Sequence, residues 1–315
     1  MILHHDKKLF EDTIRAASDK LKIIPIFIEK DYWITLALSQ LAKSKYADNV
    51  VFKGGTSLSK GYGLINRFSE DVDIAVANVN SMSGNKIKTL IRDIEKEMTK
   101  ELTEKHVEGV SSKGSRFRKS IFEYTSIEPH NDFNSLIVEV NSFANPFPFE
   151  KLSIQSFTHT FFSQTKNFNL IEKYELQPFK INVLNKKQTL LEKVVSLIRF
   201  SFEENYIQSI SNKIRHFYDL YYLVSDKECA NFIETKEFRE QFKIILEHDK
   251  EAFDVPKDWK KKLLKESPLI SDFNIIWKNI KARYNSELSS LAYSEIPSEK
   301  KVAENFARLI KLIDV

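Results

Sequence analysis

Asp71 and Asp73 are the residues of this chain whose type and spacing point most directly to chemistry. They stand at the start of the apolar run Val72–Val76, which reads as a short strand. Side chains alternate across a strand, so both carboxylates leave the same face, about 6.5–7 Å apart at the backbone. That separation suits two divalent ions roughly 3.5–4 Å apart, as two-metal phosphoryl transfer requires. Upstream, Gly54-Gly55-Thr56-Ser57 follows the apolar run Val50–Phe52 and opens a short helix. The free backbone N–H groups of Gly54 to Ser57 offer a cradle for phosphate. An anion cradle facing an acid pair suggests chemistry on a nucleoside triphosphate. A solvated strand end and an ordinary turn would use the same residue types, but both acids sit beside Val72, Ile74 and Val76 rather than in a polar loop. A P-loop does not fit: it needs G-x-x-x-x-G-K-[ST], and here Lys60 precedes Gly61.

Other ionisable residues stand in conspicuous places. Glu139 sits mid-strand in Leu-Ile-Val-Glu-Val, where an ionised group is costly without a partner. It is either a site residue or an acid on the solvent face of an edge strand, and Glu123 is the rival position. Thr189 and Glu192 read as a capping box, which would put Lys193 in the first turn of a helix. A cation there opposes the helix dipole unless an anion binds nearby, so Lys193 is either a phosphate ligand or a solvated surface lysine. Arg215, His216 and Asp219 can meet on one helix surface, as a structural clasp or as site chemistry. Glu29 and Asp31 read as first-turn acids of a helix, where capping alone could account for them.

Gly-Gly-Thr-Ser followed a short helix later by Asp-x-Asp resembles the signature of the polymerase-β-like nucleotidyltransferases. The wording Phe52-Lys53-Gly54-Gly55-Thr56-Ser57-Leu58, with Arg67-Phe68-Ser69-Glu70-Asp71-Val72-Asp73, is similar to the AbiEii/AbiGii-type toxins of abortive-infection and type IV toxin–antitoxin pairs. Glu29-Lys30-Asp31-Tyr32, Leu-x-Glu-Lys ending at Lys193, and Arg-His-x-x-Asp ending at Asp219 resemble further motifs of that family. The resemblance implies a Mg²⁺-dependent nucleotidyltransferase. Asp71 and Asp73 would hold two Mg²⁺ ions, with Glu139 as the third metal acid. Lys53, Gly54, Gly55, Thr56, Ser57 and Lys193 would hold the NTP. Asp219 would orient Lys193 or assist proton transfer. It further implies an acceptor such as a tRNA 3′ end, whose modification blocks translation, and an antitoxin encoded nearby. Two other classes stay open: a nucleotide-binding regulatory module, and an RNA- or protein-binding helical scaffold.

The elements that must position these residues follow from pattern. Few breakers (7 Gly and 8 Pro in 315 residues) and many helix formers predict a helix-rich fold, an α/β (α+β) core with a short mixed sheet followed by a helical bundle. The expected division is a nucleotidyltransferase domain over 1–185 and a bundle over 186–315 that brings Lys193 and Asp219 to the cleft. Helices are expected over Asp6–Leu21, from Glu29 to near Lys45, over Gly84–Glu104, and throughout the chain after Cys229. Strands are expected over Arg116–Thr125, Leu136–Phe143 and Phe179–Leu184, with a turn at Glu128–Asp132 and loop with short helix over Asn145–Gln177. A net charge of +4 permits a nucleic-acid partner without demanding one. The lysines from Lys257 to Lys265 form a basic cluster, either a solvated face or a grip on an RNA backbone. One cysteine, no signal-like N-terminus and no ~20-residue apolar stretch predict a cytoplasmic monomer without a membrane segment.

Overall fold

The computed structural model describes the chain except residues 70, 80, 129–133 and 314–315. The turn expected at Glu128–Asp132 therefore lies largely outside the described residues. The chain divides into two compact units, one of residues 1–63 and 68–184, the other of 64–67 and 185–315. No described helix is long and apolar enough to cross a membrane.

The first unit runs α1 (Lys7–Leu21), α2 (Pro25–Ala42), β1 (Val50–Lys53), α3 (Gly54–Lys60), β2 (Asp71–Val76), α4 (Gly84–Met98), β3 (Thr103–Lys105), β4 (Ser112–Lys113), β5 (Phe117–Glu123), β6 (Ser135–Asn141), β7 (Phe149–Ile154), α5 (Phe157–Gln164), α6 (Phe168–Lys173) and β8 (Phe179–Leu184). Its sheet has the order β3-β5-β6-β2-β1-β8-β7, with β4 paired to β5. β2 is parallel to β6 and antiparallel to β1, which is parallel to β8. Val72 and Ile74 of β2 and Leu136, Val138 and Val140 of β6 are fully buried. Each such side chain contributes about 1.5–3 kcal/mol on burial. A one-residue slip of β2 would exchange Val72 and Ile74 for the two aspartates, so the apolar face fixes where the acids point.

Several local expectations change. α2 begins at Pro25 rather than Glu29, because a proline at the first helical position forfeits no hydrogen bond. Glu29 and Asp31 therefore lie beyond the first turn and do not serve the helix dipole. α4 stops at Met98, and the edge strand β3 takes up residues that the charged pattern made helical. β7 occupies part of the stretch expected as loop and pairs with β8 over Phe149–Ile154.

The second unit is helical: α7 (Lys186–Phe200), α8 (Tyr206–Ser211), α9 (Ile214–Ser225), α10 (Lys227–Ile233), α11 (Lys236–Ala252), α12 (Pro268–Ser271), α13 (Phe273–Leu291) and α14 (Glu299–Ile313). Phe217, Phe273, Trp277 and Phe306 form its aromatic centre, with ring centroids 4.7–6.1 Å apart. The segment 64–67 is built into this unit. Asn66 O accepts from Tyr293 N at 3.0 Å, and Arg67 bridges Ala292.

α7 is capped by Asn185, whose side chain accepts from Lys187 N at 2.9 Å. The capping box expected from Thr189 and Glu192 is not the cap. Lys193 thus lies in the third turn, and the dipole argument that singled it out does not apply. Lys193 is nonetheless buried, which excludes a solvated surface lysine.

Candidate active site

β2 carries Asp71 and Asp73 on one face, half-buried, while Val72 between them is fully buried on the other. Strand register then assembles a row across four strands. Lys53 of β1 lies opposite Asp73, Asp73 lies opposite Glu139 of β6, and Glu139 lies opposite Lys119 of β5. Neighbouring strands are about 4.8 Å apart, so Asp73 and Glu139 are adjacent acids on a common face, with a lysine beyond each. Asp71 pairs with Ile137, one pleat away on the same face. Glu123, the rival third acid, lies opposite Ser135 and Thr103 and pairs with Lys105 at 2.6 Å, away from the row.

The glycine turn closes on these acids. Gly54 has φ +79°, open to glycine at little cost. A Cβ at Gly54 would stand 2.1 Å from Asp73 Oδ2, so the absent side chain is the space the carboxylate occupies. Two residues on, the Thr56 hydroxyl donates to Asp71 O at 2.7 Å. Ser57 is buried and its hydroxyl donates to Gly54 O at 2.9 Å, tightening the same turn. Gly55 is half-buried beside them.

Lys119 is a neighbour of the acid row that sequence reasoning missed. Its Nζ meets Glu139 Oε1 at 2.7 Å. Burial works against the charged ammonium, but Glu139, followed by Asp71 and Asp73, holds its pKa above the ordinary lysine value. Alternation alone places Lys119 on one face of its strand. Its place beside Glu139 depends on the β5–β6 register, which one strand cannot reveal.

The acids on this face of the sheet are Asp71, Asp73 and Glu139, of which Asp73 adjoins Gly54, with no thiolate or imidazole among them. Hard oxygen donors of this kind fit Mg²⁺. The cleared space at Gly54 and the lysines flanking the acids fit an anion held against bound metal.

In the second unit, Asp219 is fully buried and bound from two sides. Arg67 Nε and Nη2 donate to its two carboxylate oxygens at 2.7 and 2.6 Å, and Lys193 Nζ lies 2.8 Å from Oδ2. Burial would raise the Asp219 pKa, but Arg67 and then Lys193 reverse this and hold it well below the usual carboxylate range. Arg215 does not join Asp219, as the spacing on α9 suggested. It turns to Glu287 at 2.7 Å. His216 stays near the cluster, and burial, then Lys193 and Lys213, hold its imidazole well below the ordinary histidine value. Arg67 was another omission, since no periodicity relates it to a residue 152 positions away.

Glu-Lys-Asp-Tyr is a framework motif. Glu29 accepts from Ser126 Oγ at 2.7 Å and from Ile127 N at 3.0 Å. Asp31 pairs with Lys60 at the end of α3 and accepts from Phe157 N at 2.7 Å, so one carboxylate ties α2 to α3 and α5.

A family model described as nucleotidyl transferase AbiEii toxin, type IV toxin–antitoxin system, matches residues 36–308. Among solved structures, MenT4, a nucleotidyltransferase toxin from Mycobacterium tuberculosis, is similar at 14% identity and a TM-score of 0.46, over 91% of this chain and 95% of that one. A search of curated proteins finds no match.

Proposed function

The chain belongs to the AbiEii family of nucleotidyltransferase toxins, and from that premise we propose that it transfers a nucleotide from an NTP to the 3′-terminal hydroxyl of a tRNA, blocking translation. The observation that carries this reading is the in-register pair Asp73–Glu139 beside Asp71, with the Asp73 carboxylate seated on Gly54. Asp71, Asp73 and Glu139 would hold Mg²⁺, which when bound neutralises charge on the phosphates and lowers the pKa of a coordinated hydroxyl.

The chain's own residues bind and orient. Gly54 to Ser57 present backbone N–H groups to the triphosphate, flanked by Lys53. Within the second unit, Lys193 is a cation fixed by Asp219. Asp219 acts through Lys193, because a carboxylate held this far below neutral pH is a poor proton acceptor. The acceptor oxygen bonds to the α-phosphorus, the bond from that phosphorus to the bridging oxygen breaks, and pyrophosphate leaves. The hydroxyl proton passes to solvent. The type IV membership adds a cognate antitoxin as partner.

The test is incubation of purified protein with Mg²⁺, total tRNA and each α-labelled NTP in turn. Label entering RNA, abolished by EDTA and by Asp73→Asn, is the expected result. No label in RNA from any nucleotide, or label on the protein alone, would refute the tRNA reading.

A further inference from the structure

A second constellation lies in the first unit, away from the acid row in sequence and in strand assignment. His4 and His5 occupy a single turn before α1, and Glu101 follows α4. Among the described residues, His4, His5 and Glu101 are the group of three whose potential ligand atoms all fall within 4.8 Å of one another. Glu101 Oε2 stands 3.4 Å from His4 Nε2 and 3.3 Å from His5 Nε2.

These distances admit a bridging ion. A charge-assisted hydrogen bond draws nitrogen and oxygen to about 2.7–2.9 Å. Ligand atoms held about 2.0–2.1 Å from one tetrahedral ion stand about 3.3 Å apart, by the geometry of the tetrahedral angle. Both contacts match the second spacing.

Tyr32 supplies the outer support. Its hydroxyl lies 2.8 Å from His4 Nδ1 and 3.4 Å from His4 N. At that distance either atom can donate, according to the His4 tautomer. With the proton on Nδ1, His4 donates to Tyr32 and its Nε2 lone pair faces the Glu101 carboxylate, available to a metal ion. Metal-bound histidines donate their other ring N–H to a nearby oxygen in the same way. Trp33, with its ring centroid 4.4 Å from that of His4, walls the site on one side.

We propose that His4, His5 and Glu101 form a transition-metal site, separate from the acid row, that takes Zn²⁺. Two imidazoles and one carboxylate suit zinc rather than magnesium, which prefers an all-oxygen shell. The ion would tie the N-terminal turn to the α4–β3 connection, with Tyr32 fixing His4 from α2.

The test is equilibrium dialysis of tag-free, metal-stripped protein against Zn²⁺ in excess Mg²⁺, followed by elemental analysis. The expected result is one Zn²⁺ per chain that persists in an Asp71→Asn/Asp73→Asn variant. His5→Ala and Glu101→Gln should each weaken it at least about tenfold, and Tyr32→Phe by about 10–100-fold. His5 is exposed, so its variant is expected to fold, and circular dichroism of each variant checks this. X-ray absorption should show a nitrogen and oxygen shell at about 2.0–2.1 Å with imidazole scattering. No bound zinc, zinc indifferent to His5→Ala and Glu101→Gln, or zinc lost with the acid doublet would each overturn the site. Transfer of nucleotide to RNA plays no part in these readouts, so the two proposals stand or fall separately.

Discussion

A single methyl group at Gly54 probes the union of glycine turn and acid strand. In Gly54→Ala the new Cβ would lie 2.1 Å from Asp73 Oδ2, 3.0 Å from Cγ and 3.3 Å from Asp73 Cβ. Reaching ordinary contact at 3.4 Å requires Oδ2 to retreat by about 1.3 Å, the difference between 3.4 and 2.1 Å. A φ of +79° adds a backbone cost of about 1–2 kcal/mol for any L side chain. Gly63 separates the two effects, because its φ is +62° and nothing lies within 4 Å of its would-be Cβ. Gly63→Ala should therefore lose a similar ~1–2 kcal/mol of stability and keep its rate. Gly54→Ala should lose at least that much stability. Displacing a reacting group by about 1 Å costs on the order of 100-fold in rate, or about 2.7 kcal/mol of barrier. Urea unfolding measures the first quantity, and label transfer from NTP to RNA, corrected for folded fraction, measures the second. A Gly54→Ala rate within about threefold of Gly63→Ala would show that Asp73 does not need its seat on Gly54, and the assignment of the site would fail with it.

Three further outcomes follow from named contacts. Asp219→Asn leaves the buried cations of Arg67 and Lys193 uncompensated, and urea unfolding should register a loss of about 3–5 kcal/mol. Asp219 has a depressed folded pKa, so its contribution is full above the unfolded value of about 3.9 and is lost as pH falls below it. The variant's urea midpoint should accordingly fall less than wild type between pH 5 and pH 3, and parallel curves would contradict the assignment. Lys119→Met removes the cation from beside Glu139, Asp71 and Asp73, and should cost about 1 kcal/mol in EDTA but less in Mg²⁺, read as melting temperature. An equal loss in both buffers would detach Lys119 from the proposed metal site. Asp31→Asn should destabilise by about 1–3 kcal/mol, since it takes the carboxylate from Lys60 and leaves that ammonium the Gln155 carbonyl; a loss under 1 kcal/mol by the same titration would deny the tie between α2 and α3.

Much of the candidate site was readable before any fold was known, because its parts are local. Alternation along 71–76 placed two carboxylates on one face, and the buried Val72 and Ile74 fix that face. Gly54 and Gly55 marked the turn after Val50–Phe52, while the positive φ of Gly54 belongs to the structure. The helical stripe of α1 and the strand β8 followed from patterns of 3.6 and 2 residues. The same local reasoning failed at Pro25 and at Asn185, where a proline first turn and an asparagine cap compete with equally plausible starts a few residues later.

What depends on pairing between distant segments lay beyond the sequence. Lys119 joins Glu139 through strand register, Arg67 reaches Asp219 across 152 positions, and His4, Tyr32 and Glu101 converge from three separate elements. Periodicity tells a residue which way to face along its own helix or strand. It carries no information about which partner arrives there, because that is decided by burial and register summed over the whole sheet and bundle. The amino-acid order determined which acids share a face of their strand; tertiary packing chose the counter-charges beside them.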